Sequence, residues 1–102
     1  VFTLNSNVSQ LNTDGTDTTI VASPASGKRV VRNIVLHNRG SIAVNVLVKI
    51  NSNVFWNLNL ASLESFTIET PFVLGSADSV TGRRASGTTE VVNFIASYGD
   101  MT

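Results

Sequence analysis

Between residues 42 and 60, apolar side chains recur at every second position. Ile42, Val44, Val46, Val48 and Ile50 alternate with polar residues such as Asn45 and Lys49; Val54, Trp56, Leu58 and Leu60 repeat the pattern around Asn57 and Asn59. A period of two sorts side chains onto opposite faces of a strand, so each run has one wet and one dry face. Asn51-Ser52-Asn53 between them has the composition of a tight turn, and the pair reads as a β-hairpin.

The same grammar extends along the chain. Thr18 to Ala22 reads as a short strand stopped by Ser23-Pro24-Ala25-Ser26-Gly27, because Pro24 lacks a ladder donor and Gly27 tolerates positive φ. Val30 to His37 reads as a longer strand with Val30, Ile34 and Leu36 inward. Arg32 falls on that inward parity, a discord that a bulge or an interface explains. Asn38-Arg39-Gly40-Ser41 supplies the next turn. Ser65 to Thr70 presents Phe66 and Ile68 to one side; Pro71 interrupts before Phe72 to Leu74. Val80 begins a brief strand ending at Gly82, and Glu90 to Tyr98 places Val92, Phe94, Ala96 and Tyr98 on one face.

Seven or eight short strands without a helical window predict an all-β, single antiparallel β-sandwich, jelly-roll or Ig-like. No crossover helix is available for a parallel sheet. Residues 1 to 17 offer Val1, Phe2, Leu4 and Val8 among Asn, Ser, Thr and Gly. They are read as an extended N-terminal arm that orders on a neighbour, leaving 18 to 102 as the sandwich domain. Val1 in place of methionine is expected to reflect a processed terminus.

Composition narrows the function classes. A chain of 102 residues holds one domain, with about 5,600 Å² exposed when folded. There is no cysteine, which removes disulfides, thiolate metal sites and cysteine nucleophiles. Seven basic and seven acidic residues cancel, and 14% charged residues compares with about 25% in ordinary soluble proteins. That balance argues against direct nucleic-acid binding and against a polybasic membrane anchor. No apolar run approaches the roughly 20 residues of a helical membrane span. Ser, Thr and Asn fill 34 positions, a solvated but weakly charged surface that favours association. Residues 1 to 51 carry net +3 and residues 52 to 102 net −3, so the halves either pair within one sandwich or steer copies together.

No reaction centre emerges. His37 is the single histidine, and nothing beside it resembles a nucleophile elbow. One histidine without cysteine cannot furnish an ordinary zinc site. Asp14-Gly15-Thr16-Asp17 lacks the alternating ligands of an EF-hand and reads as a turn. Arg83-Arg84-Ala85-Ser86, between Gly82 and Gly87, reads as a charged loop tip. Asn7-Val8-Ser9 matches a glycosylation sequon, a match short enough to arise by chance. Trp56 and Tyr98 could stack on a sugar, but their inward parities favour the core. The expectation is a protein without catalytic residues, cofactor or metal.

The run Thr19-Ile20-Val21-Ala22-Ser23-Pro24-Ala25-Ser26-Gly27-Lys28-Arg29-Val30-Val31, then Ile34-Val35-Leu36-His37-Asn38-Arg39-Gly40-Ser41, resembles the opening of small β-sandwich virion proteins of tailed bacteriophages. Leu63-Glu64-Ser65-Phe66-Thr67-Ile68 and Val92-Asn93-Phe94-Ile95-Ala96-Ser97-Tyr98-Gly99 resemble their later strands. Gly75-Ser76-Ala77-Asp78 departs from the Gly-Asp common before their penultimate strand. The resemblance implies a non-enzymatic capsid decoration or cement protein on the outer capsid surface of a virion. Such a protein is commonly a homotrimer and bridges subunits of the major capsid protein or other virion proteins. On that reading Phe2 and Leu4 are expected as apolar anchors on the arm, and Arg29, Arg32 and Arg39 as polar contacts. The alternatives are a neck, tail or fibre-attachment protein, and a carbohydrate- or receptor-binding module.

Overall fold

A computed structural model describes residues 2–69, 71–84 and 91–101, with the backbone alone at Phe2 and Thr3. Among them are nine strands: β1 (Phe2–Gln10), β2 (Thr18–Val21), β3 (Lys28–Asn38), β4 (Val44–Ile50), β5 (Asn53–Leu60), β6 (Ser65–Ile68), β7 (Phe72–Leu74), β8 (Val80–Arg84) and β9 (Val92–Met101). One sheet has the order β1-β9-β3-β6, with β7 continuing the β6 edge along β3; the other has the order β2-β8-β4-β5. All pairings are antiparallel.

The pairings nest. β4 pairs with β5, β3 with β6 and β7, β2 with β8, and β1 with β9. The chain is thus one long hairpin rolled into two sheets. This is jelly-roll order, which selects between the two sandwich types expected. Its tip is the turn at Asn51 and Ser52, with φ of 52° and 71°. Two successive left-handed residues make the type I′ geometry that matches the strand twist.

The core lies between the sheets. Ile20, Val31, Ile34, Leu36, Val46, Val48, Val80, Val92 and Ala96 are inaccessible, with Phe94 beside them. Total exposed area is 5452 Å², close to the area expected for this mass.

Several local expectations are corrected. The register of β3 on β9 shifts between Val31 and Asn33, so Arg32 is the extra residue of a bulge and parity inverts there. Val31, not Val30, faces the core; Ile34 and Leu36 face it as expected. A second register break, between Val48 and Lys49, leaves Phe55 as the extra residue of β5. Trp56 stays over the core while Val54 and Phe55 are exposed. Ile42 precedes β4 and is exposed. β8 continues past Gly82, so Arg83 and Arg84 belong to a strand and not to a loop tip, and Arg84 is buried. Ala85 and Ser86 lie outside the described residues.

The segment read as an arm is not separate from the sandwich. β1 lies along β9 in an unbroken register from Phe2↔Met101 to Gln10↔Asn93. In a nested hairpin the first strand's partner is the last strand, which supplies the neighbour that the extended segment lacked in sequence. Leu11, immediately after it, is fully buried in the core. The expected boundary at residue 17 therefore cuts through packed structure.

Candidate interaction surface

The groups with chemical potential are mostly committed to the fold. His37, in β3, faces Ser65 across the ladder with its Nδ1 2.7 Å from the Ser65 hydroxyl. Asp14 accepts hydrogen bonds from the Thr16 amide and hydroxyl, which closes the turn and holds the Asp14 carboxyl below its ordinary pKa. Asn7 donates its side-chain amide to the Ile20 carbonyl at 2.9 Å, so the sequon nitrogen is engaged. Arg84 donates to the Thr13 carbonyl. No group of three or more metal-ligating side chains forms among the described residues.

The expected contact residues separate. Arg29 grips Asp100 with two bonds, Nε to Oδ1 at 2.6 Å and Nη2 to Oδ2 at 3.0 Å. Its third contact goes to the Ala22 carbonyl at 2.7 Å, and the guanidinium stands 4.6 Å from the centre of the Tyr98 ring. Arg29↔Asp100 and Val31↔Tyr98 are ladder pairs, so this cluster closes one end of the inner face. The guanidinium holds the Asp100 carboxyl below its usual range. It also joins the basic half of the sequence to the acidic half, as does Arg83, 4.0 Å from Asp17. Arg32 and Arg39 are exposed, one in the bulge and one in the turn after β3. Leu4 is 61% exposed. Phe2 pairs with Met101 through its backbone.

The two outer sheet faces differ in chemistry. Residues directly opposite in a ladder share a face, so the register assembles transverse rows. On the β1-β9-β3 sheet, Leu4, Gly99, Val30 and Val73 form one row, and Val8, Ile95, Val35 and Thr67 form another. Ser6, Ser97 and Asn33 lie between them. Neither apolar row carries a charge. Leu4, Val8, Val73 and Ile95 are all exposed, at 46 to 67%. The outer face of the other sheet carries Thr19, Thr81, Arg83, Lys49, Asn45, Asn57 and Asn59 in its rows, with Leu47 and the exposed Val54 among them and the exposed Phe55 in the β5 bulge. There Lys49 holds Asp17 at 3.1 Å.

Sequence reasoning missed this surface, apart from Leu4. Val35, Val73 and Ile95 sit on wet parities of separate strands, and each alone looks like an ordinary exposed apolar residue. Only the register lines them up.

Among solved structures, the chain is similar in fold to a protein in the acid-stable capsid of Helicobacter pylori bacteriophage KHP30. The identity is 16% and the TM-score 0.66, over 99% of this chain and 88% of that one. It is also similar to a chain from Bacillus endospore appendages, described as a family of disulfide-linked pili. There the identity is 14% and the TM-score 0.63, over 98% and 88% of the two chains. A third likeness is to the virus-like particle of the extra small virus of the prawn Macrobrachium rosenbergii, at 8% identity and TM-score 0.51, over 99% and 80%. No protein-family model and no curated protein matches the sequence. Identities this low establish a shared fold, one used in capsids and in a pilus, and fold does not determine function.

Proposed function

We propose that this chain is a non-enzymatic structural protein of a bacteriophage virion, of the decoration or cement type, seated on the outer capsid surface across neighbouring major capsid subunits. The observation that carries the reading is the contrast between the two outer faces. The outer face of four neighbouring strands spans about 19 Å by about 30 Å, roughly 600 Å² of sheet. Its two rows of exposed apolar side chains carry no charge, while Lys28 lies in the flanking row with Met101 and the exposed Arg32 in the bulge. A standard interface takes about 800 Å² per partner, so this face with its rim approaches a full contact.

Cementing needs no chemistry. A bridge across two subunits adds binding free energy to the closed shell, and symmetry repeats each modest contact. The outer face of the second sheet, which carries Lys49 and Arg83, then meets solvent. The phage capsid likeness in fold supports the same reading. A fibre or pilus subunit is the second reading, favoured by the endospore-appendage likeness; the linkage named for that family uses disulfides, and this sequence holds no cysteine.

The test is co-sedimentation with capsids of the encoding phage that lack the chain. Ile95→Asp and Val73→Asp, on the apolar face, are expected to weaken binding at least tenfold. Thr81→Asp and Asn57→Asp, on the other sheet, are expected to bind as the parent does. Equal binding by all four variants, or none by the parent, rejects the reading.

A further inference from the structure

Sheet edges are templates for pairing, and folded proteins blunt them with short strands, bulges, charge or proline. Three of the described edges are blunted in these ways. β2 has four residues and a register break between Thr19 and Val21, and it follows Asp17. β5 is bulged at Phe55. β6 and β7 have four and three residues, with Pro71 between them. β1 is the exception. It runs for nine residues, FTLNSNVSQ, with no charge, no proline and no break in its register against β9.

We propose that the free edge of β1 pairs antiparallel with β1 of a second copy of this chain, across a two-fold axis at Ser6. The two β1-β9-β3 sheets then become one continuous sheet. The strand's own sequence favours this occupant. Reversed about Ser6, all nine residues find partners, and Leu4 falls opposite the partner's Val8 while Val8 falls opposite the partner's Leu4. Those two side chains are 61% and 67% exposed, and pairing gives each an apolar cross-strand neighbour. Thr3 falls opposite the partner's Ser9 and Asn5 opposite the partner's Asn7, so no like charges meet. Centring the axis on Asn5 or Asn7 leaves only seven pairs and loses the Leu4–Val8 match. Shifting by one residue sets outer-face side chains against inner-face ones.

The consequence is geometric. An isologous contact repeats the same patch on both copies. The row through Leu4, Gly99, Val30 and Val73 and the row through Val8, Ile95, Val35 and Thr67 continue across the axis into the opposite copy. The face that bears the two charge-free rows doubles in area while the sheets that carry Lys49 and Arg83 stay on the other side. The pairing needs no shell, so it is tested separately from the virion reading.

The experiment uses the absence of cysteine. In Ser6→Cys the two introduced thiols face each other across the axis, with Cβ atoms about 4.5–5.5 Å apart, near disulfide reach. Mild oxidation is expected to give a covalent dimer. Thr19→Cys, exposed on β2, is the control and is expected to remain uncross-linked. In sedimentation equilibrium the parent is expected to dimerise. Ser6→Lys and Ser6→Glu each raise the dimer dissociation constant at least tenfold, and an equimolar mixture of the two restores association. Ser6 is exposed, and far-UV circular dichroism checks that each variant keeps the fold. The proposal is overturned by a monomeric parent, by indifference to both charges, or by Ser6→Cys cross-linking no more than the control. A trimeric parent overturns the two-fold while leaving the virion reading intact. Loss of capsid binding by Ile95→Asp in an intact dimer supports both.

Discussion

Replacing Asn38 with alanine should destabilise the sandwich by about 3 kcal/mol. Asn38 ends β3 and is fully buried. The two N–H groups of its amide nitrogen are shared among the carbonyls of Ile42, Leu60 and Ala61 at 2.8, 3.0 and 3.2 Å, and its oxygen accepts from the Gly40 amide at 2.9 Å. One side chain therefore ties the turn after β3 to the end of β5, in the opposite sheet. The bond to Leu60 lies in dry surroundings, where an orphaned carbonyl costs about 1–3 kcal/mol; the others are partly wet and cost about 0.5 kcal/mol each. At roughly 4–8 °C per kcal/mol for a domain of this size, the midpoint of melting falls by about 12–24 °C. Asn38→Asp sharpens the test. Its carboxylate faces three carbonyl oxygens, so burial and repulsion raise its folded pKa above the usual value of about 3.9. The penalty is then full above the folded pKa and disappears below about 3.9, so the deficit shrinks as pH falls. Urea unfolding at pH 7 and about pH 4, followed by circular dichroism and Trp56 fluorescence, reads both effects. An Asn38→Ala loss below about 1 kcal/mol, or an aspartate deficit equal at both pH values, refutes the reasoning.

Three further outcomes are expected. Leu11→Ala should cost about 2–5 kcal/mol in urea unfolding, as for a buried core leucine; a loss near zero would detach the N-terminal segment from the core. Gly82→Ala places a Cβ 2.6 Å from Ile20 Cδ1 and 3.1 Å from Leu11 Cδ2, so overpacking should cost about 1–3 kcal/mol. Adding Ile20→Val removes the nearer atom, and the double variant should lose less than the sum of the singles. The depressed Asp100 pKa means that the Arg29–Asp100 contact contributes stability above about pH 3.9 and loses it as pH falls through the lower folded pKa. Asp100→Asn should flatten that part of the acid unfolding profile, and an unchanged profile counts against the contact.

What the sequence made legible was local. The β4–β5 hairpin could be read because turn residues and alternation coincide, and the strands around it because Gly and Pro punctuate them. Parity failed at the bulges in β3 and β5. Arg32 announced the first by its charge, but nothing in Val54-Phe55-Trp56 distinguishes a bulged from an unbulged run. Long-range pairing was not legible either: that β1 meets β9 depends on nesting the whole chain, and the polar, weakly apolar β1 carries no local mark of its partner. Arg29 looked like a free cation because Asp100 lies 71 positions away. The outer apolar rows depend on registers among four strands, which no single segment encodes.

The central claim is that the β1-β9-β3 outer face is buried against the shell. A cryo-EM density map of particles of the encoding phage, the proposed location of the chain, measures it directly. The account predicts Leu4, Val30, Val35, Val73 and Ile95 packed on capsid protein, with Lys49, Asn57 and Thr81 facing solvent. A map with that apolar face open to water, or with the polar sheet against the shell, would contradict it.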